Sequence, residues 1–291
     1  MIARILCLAA LAATLPLSGI AHARADTLSP IPESCFTYTL ASPQPSAHGL
    51  AAGGMHATLT GTGITLDVHT LSLNDPQGKV DGDSLRRFNA AAAYAALTAF
   101  RGGNSGACQN RSLTTDDAHI HGGTPQATWT GVTLARPGHD MTISRATIAA
   151  VETTPDLRLR VSGTGVHDSK QPLIPSQVSA DMTLLGNAAA LREIVINSAH
   201  AVSGSSVLDG HGTIEPGPSA AATKADGHLS VTNVSDLLTR LRETAPKKVY
   251  VALSIAHLMG RQNGNATEWD LGLDSGVATV NRVPLPISLP H

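Results

Sequence analysis

From Cys35 onward the chain returns repeatedly to one pattern: short runs in which apolar residues alternate with threonine or another polar residue, punctuated by glycine and proline. A period of two puts successive side chains on opposite faces of an extended backbone, so these runs predict half-buried antiparallel strands. Residues 35–40, 55–59, 64–68 and 71–73 form a first set, with a tight turn predicted at Gly61-Thr-Gly63. Residues 127–134, 141–148, 157–161 and 178–184 form a second, and 206–215 and 227–233 a third, joined by a linker-like stretch from Gly217 to Thr223. Trp269-Asp-Leu-Gly-Leu273 and residues 277–281 read as a hairpin across Asp274-Ser-Gly276, with Pro284, Pro286 and Pro290 ending the sheet pattern.

Three segments depart from that period. Asp81 or Asp83 can cap a helix over about 83–100, whose apolar face would be Leu85, Phe88, Ala92, Ala95 and Ala99. Ser235 can cap a second over about 235–245, stopped at Pro246. Lys247 to Met259 is compatible with a third through Val249, Leu253, Ala256 and Met259, whereas residues 188–196 fit either a short helix or a strand. The expected fold is mainly β (α+β), with curved antiparallel sheet(s) and peripheral short helices.

Residues 1–25 have signal-peptide order: a basic start at Arg4, an apolar run over 5–17, then small residues around Ala21, Ala23 and Ala25. The expected organisation is a signal peptide at 1–25, an N-terminal β-rich region at 26–185 and a C-terminal β-rich region at 186–291. No later stretch is long and apolar enough for a transmembrane segment, so a periplasmic or secreted location is expected. Cys35 and Cys108 would be the cysteines left, and an oxidising compartment permits a disulfide between them. Removing Arg4 and Arg24 takes the formal charge from -2 to -4. With no long basic stripe, nucleic acid is not an expected partner.

Chemistry-bearing residues are sparse. His119 and His121 would share one face of a strand, beside Asp116 and Asp117, yet no compact set completes four zinc ligands. Asp209 and His211 could meet at one polar rim, although spacing alone establishes neither a substrate nor an altered proton affinity. His119, His121, Asp209 and His211 are thus the candidate polar site, and a solvated turn or hairpin rim is the simpler account of each pair. No Gly-x-Ser-x-Gly elbow occurs, and Gly102-Gly-Asn-Ser-Gly106 lacks the Lys-Thr or Lys-Ser of a phosphate loop. No catalytic residue, metal or cofactor is expected.

The C-terminal arrangement of residues 207–215, 227–238, 269–273 and 276–285 resembles an uncharacterised bacterial exported family, domain of unknown function 2125. It is also loosely similar to AsmA-type envelope proteins, whose amphipathic strands are associated with lipid handling. The resemblance implies no catalytic residues. Together these readings predict a non-enzymatic periplasmic envelope protein that binds a lipid or apolar chain. The alternatives are a protein-interaction or structural module of the envelope, with a lipid or an envelope protein as partner, and a hydrolase with an unrecognised site. An enclosed apolar cavity would favour lipid carriage, and a filled core with an exposed apolar patch would favour an interaction surface.

Overall fold

The computed structural model describes residues 34–46, 49–101, 120, 122–171, 174–187, 190–217, 219, 221–244 and 247–288. Its first strands are β1 (Phe36–Ala41), β2 (Gln44–Ser46), β3 (Gly49–Ala52), β4 (Gly54–Leu59) and β5 (Ile64–Asn74), after which helix α1 runs from Gly82 to Arg101. Next come β6 (Gln126–Arg136), β7 (His139–Glu152), β8 (Leu157–Thr164), β9 (His167–Asp168) and β10 (Gln177–Asn187). β11 (Ala190–Ser203), β12 (Ser206–Glu215) and β13 (Lys224–Thr232) lead into α2 (Val234–Thr244) and α3 (Lys247–Met259). β14 (Arg261–Asn263), β15 (Ala266–Asp274), β16 (Val277–Val280) and β17 (Val283–Ser288) complete the sheet.

The fold is mainly β, one large antiparallel sheet with a few peripheral helices. Pairing follows the meander β1–β4–β5–β6–β7–β8–β10. It continues through β11, β12, β13, β15, β16 and β17. The boundary expected at 185/186 falls inside β10, near its end, and β10 is hydrogen-bonded to β11 over most of its length. Of the stretch 188–196, open between helix and strand, residues 190–196 belong to β11, where Ile194 and Ile196 pair inward with Leu184 and Met182.

β5 unites two predicted strands. His69 and Thr70 both face solvent, so the inward phase moves from Leu66 and Val68 to Leu71 and Leu73. Thr130 and Gly131 on β6, and Ser144 and Arg145 on β7, repeat the shift in register, so it crosses three strands as one line. Gly131 takes φ 64°, and a Cβ there would lie 2.9 Å from that of His69. Such a phase reset lets both halves of a strand present apolar side chains to the same core.

α1 covers this core. Asp81 caps it by accepting the Ser84 N–H at 2.7 Å, and Leu85, Phe88, Ala93, Ala96 and Leu97 are buried. The buried face is therefore rotated from the predicted one, and Ala92, Ala95 and Ala99 lie at its margin. Asn89, fully buried, draws the face round: it accepts the Trp129 indole N–H at 2.7 Å and donates to the Tyr38 hydroxyl at 2.7 Å. Burial pushes the Tyr38 phenol up to about 12, against the opposing pull of that Asn89 bond.

Three further expectations change. α2 begins one residue before the expected cap, and the Asn233 carbonyl receives the Asp236 and Leu237 N–H groups. The described residues of the Gly217–Thr223 stretch are tied by hydrogen bonds, the Thr223 hydroxyl accepting the Gly217 N–H and the Ser219 carbonyl accepting the Ala222 and Thr223 N–H groups. Pro284 and Pro286 lie within β17, which among the described residues pairs with β16 alone and so tolerates a missing N–H. Cys108, the partner expected for Cys35 in a disulfide, lies outside the described residues. Cys35 itself is buried and disulfide-bonded, so it does not titrate as a thiol. The signal-peptide segment 1–25 also lies outside the described residues.

Candidate functional site

The C-terminal part of the sheet has one apolar and one polar face. Leu208, Leu229, Val231, Trp269 and Leu271 share the apolar side, where Val234, Leu237 and Leu238 of α2 and Met259 of α3 pack on them. On the other side, register places His211 opposite His228 and His228 opposite Asp270, with Asp209 opposite His200 on the neighbouring strand.

Of the four residues singled out from sequence, His119 and His121 lie outside the described residues. Asp209 and His211 share the polar face of β12 but take different partners. Asp209 accepts His200 Nδ1 at 2.7 Å, whereas the His211 ring lies 5.4 Å from that of His228. His228 in turn meets Asp270 at 3.1 Å, and Arg261 reaches the same carboxylate at 3.2 Å. The His228 bond, reinforced by Arg261, holds the Asp270 carboxyl below its ordinary range. A His–Asp pair with a free Nε2 is half of a hydrolytic triad. Here no hydroxyl or thiol is bonded to that nitrogen of His200 or His228 among the described residues, and the Asp209 and Asp270 side chains are more than half exposed. Groups of three or more ligands able to hold a metal are absent among the described residues.

The sequence reading missed a buried chain of three polar groups. The His139 Nε2 donates to the Asp168 carboxylate at 2.8 Å, while its Nδ1 accepts from Arg136 at 3.0 and 2.8 Å. Arg136 also donates to the Phe100 and Arg101 carbonyls at the C-terminus of α1 and lies 5.2 Å from the Phe100 ring centre. Both ring nitrogens are thus engaged, so the imidazole has none left to act as a general base. The chain clamps the β6–β7 turn and β9 to the end of α1. Its signal in sequence, Arg136-Pro-Gly-His139 followed by Asp168, is too dispersed to read without the strand pairing.

A second charged group sits on β8 and β10. Asp181 accepts Arg158 at 2.7 and 3.0 Å, Arg160 at 3.0 Å and the Asn197 amide at 3.1 Å. The Arg158 bonds dominate and, with Arg160 and Asn197, lower the Asp181 carboxyl to about 2 against the opposing effect of burial.

The richest local arrangement surrounds α3. On its inner side lies a cleft of about 680 Å³, lined by Ser205, Asn233, Ser235, Asp236, His257, Gln262, Asn265 and Thr267, with Val234 its aliphatic member. The buried Nδ1 of His257 finds no hydrogen-bond partner among the described residues. These amides, hydroxyls, imidazole and carboxylate suit a polar solute, and Val234 is the one aliphatic side chain they leave for an acyl chain. Gly260 permits this arrangement, since a Cβ there would lie 2.2 Å from Thr267 and 2.9 Å from the Trp269 indole. Trp269 fastens the helix by donating its indole N–H to the Ala256 carbonyl at 2.6 Å.

On its outer side, α3 exposes Val251, Ile255 and Leu258 by 52%, 51% and 84%. Their i, i+4, i+7 spacing makes one continuous stripe. The sequence reading took the apolar set 249, 253, 256 and 259 for the packed face and left the second set unused. A helix apolar on more sides than one core contact needs is the signal that could have revealed it. No helix among the described residues is long and apolar enough to cross a membrane. No protein-family model, curated protein or solved structure matches the chain in the comparisons made, which therefore neither support nor refute the resemblance to the exported family.

Proposed function

We propose that this is a non-enzymatic periplasmic envelope protein in which the sheet is a platform and α3 the docking element. The observation that carries this reading is the outward stripe of Val251, Ile255 and Leu258, held on a helix whose other side is fastened to Trp269. Leaving three aliphatic side chains in water forgoes burial worth about 1.5–3 kcal/mol for each one fully covered. Covering them on a partner recovers that energy. Docking at a surface suits this geometry better than enclosure of an apolar chain, because the cleft beneath α3 is lined by polar groups.

The test is envelope co-sedimentation of the protein expressed in a bacterial host with its own leader. The parent should pellet with washed envelopes, and the combined Val251→Ser, Ile255→Ser and Leu258→Ser variant should move to the supernatant while keeping the parent's circular dichroism. Equal pelleting of a folded variant would overturn the reading.

A further inference from the structure

We propose that His211 and His228 form a surface site for a divalent transition-metal ion, on the sheet face opposite α2 and α3 and independent of the docking role above. The two residues stand directly across the β12–β13 ladder, where the side chains of an antiparallel pair project to the same side. Their ring centres lie 5.4 Å apart, with 34° between the planes. Two imidazoles sharing one tetrahedral ion, each nitrogen about 2.0–2.1 Å from it, have ring centres about 5 Å apart. The strands already hold the rings at chelating distance.

The hydrogen bonds leave the required lone pairs. The Asp270 carboxylate, ionised at neutral pH, can only accept, so the His228 Nδ1 bonded to it at 3.1 Å carries the proton. The neutral ring therefore presents an unprotonated Nε2, which no protein group engages among the described residues. A carboxylate behind a histidine in this way fixes the tautomer and raises the basicity of the ligating nitrogen. Neither nitrogen of His211 has a protein hydrogen-bond partner among the described residues. His56 and His200 meet Asp67 and Asp209 through the same Nδ1 bond, yet no second imidazole faces either among the described residues. Arg261 and Arg282 act on Asp270, and their charge is offset by Asp209 and Asp226, each two residues before a ring on the same face of its strand. Two imidazole ligands, with water completing the coordination, favour copper(II), nickel(II) or zinc over magnesium and calcium, which take oxygen ligands.

The test is isothermal titration calorimetry of the whole protein, purified without a histidine tag, with copper(II), zinc and magnesium chlorides at neutral pH. Copper and zinc should bind, copper the more tightly, and magnesium should give no heat. His211→Ala, at an exposed position, should weaken zinc binding roughly a hundredfold, because a chelate becomes a single ligand. Asp270→Asn should weaken it roughly tenfold, and His56→Ala and His200→Ala should bind like the parent. Zinc should also move the NMR signals of the His211 and His228 rings. No heat with copper or zinc would overturn the site, as would magnesium binding as tightly as zinc. Parent-like affinity of a folded His211→Ala variant, or an equal loss in His56→Ala or His200→Ala, would place the ion elsewhere in the chain and overturn it too.

Discussion

Asn89 shows how far one side chain can redirect an element. Its amide joins Trp129 of β6 to Tyr38 of β1, so two aromatic polar groups inside the core are satisfied by one helical residue. Replacing it by alanine strands both, and Asn89→Ala should cost about 2–3 kcal/mol in urea unfolding. In a double-mutant cycle with Trp129→Phe the two penalties should fall short of additivity, and additive penalties would argue against the shared bond. Asp181 carries a pH dependence of definite sign. Its carboxyl is lowered from 3.8 to about 2 in the folded state, so the stabilisation is present above the unfolded value and is lost as pH falls from about 4 to about 2. Because water reaches Arg158 and Arg160, the contribution is about 1 kcal/mol, and Asp181→Asn should flatten the stability–pH curve by that amount over the same interval. Neither network is visible in sequence. Asn89 interrupts the apolar count along α1, and Asp181 meets its arginines only when β8 is laid beside β10.

Elements were legible where one periodicity runs unbroken, and less so where it resets. β6 and β7 show their alternation over enough residues to be read through the shift, whereas the reset at His69 and Thr70 divided β5 in two. Gly131 lets β6 follow that reset, so Gly131→Ala should destabilise by about 1–2 kcal/mol, from its positive φ and its approach to His69. An unchanged urea midpoint would show that the strands can slide to accommodate the methyl. α3 is the element on which function turns. Gly260→Ala would drive a methyl into Thr267 and Trp269, lifting the C-terminal end of the helix. The expected outcome is altered Trp269 fluorescence together with weaker envelope pelleting. Parent-like fluorescence and pelleting would mean that the end of α3 adjusts without moving its stripe.

At the scale of the molecule, one sheet spans three apolar clusters of unequal depth. The first unites α1 with β1 and β3–β7, the second lies across β10 and β11, and the third buries Val231, Val234, Trp269 and Val280. Amide exchange should therefore be slowest in β5, β6 and β7 and fastest in α2, α3 and β16, because few buried contacts oppose opening there. Exchange equally slow in α3 would indicate a single cooperative unit. The sequence by itself determined the β class, the presence of three helical segments and most strand positions, since those follow from alternation and turn chemistry acting over a few residues. The common phase shift, the partners of Asp209 and His211, the Arg136–His139–Asp168 clamp and the outward stripe of α3 were decided only by tertiary structure. Each depends on which distant strand lies alongside and which helix face the sheet has already covered, and short-range periodicity carries no information about either.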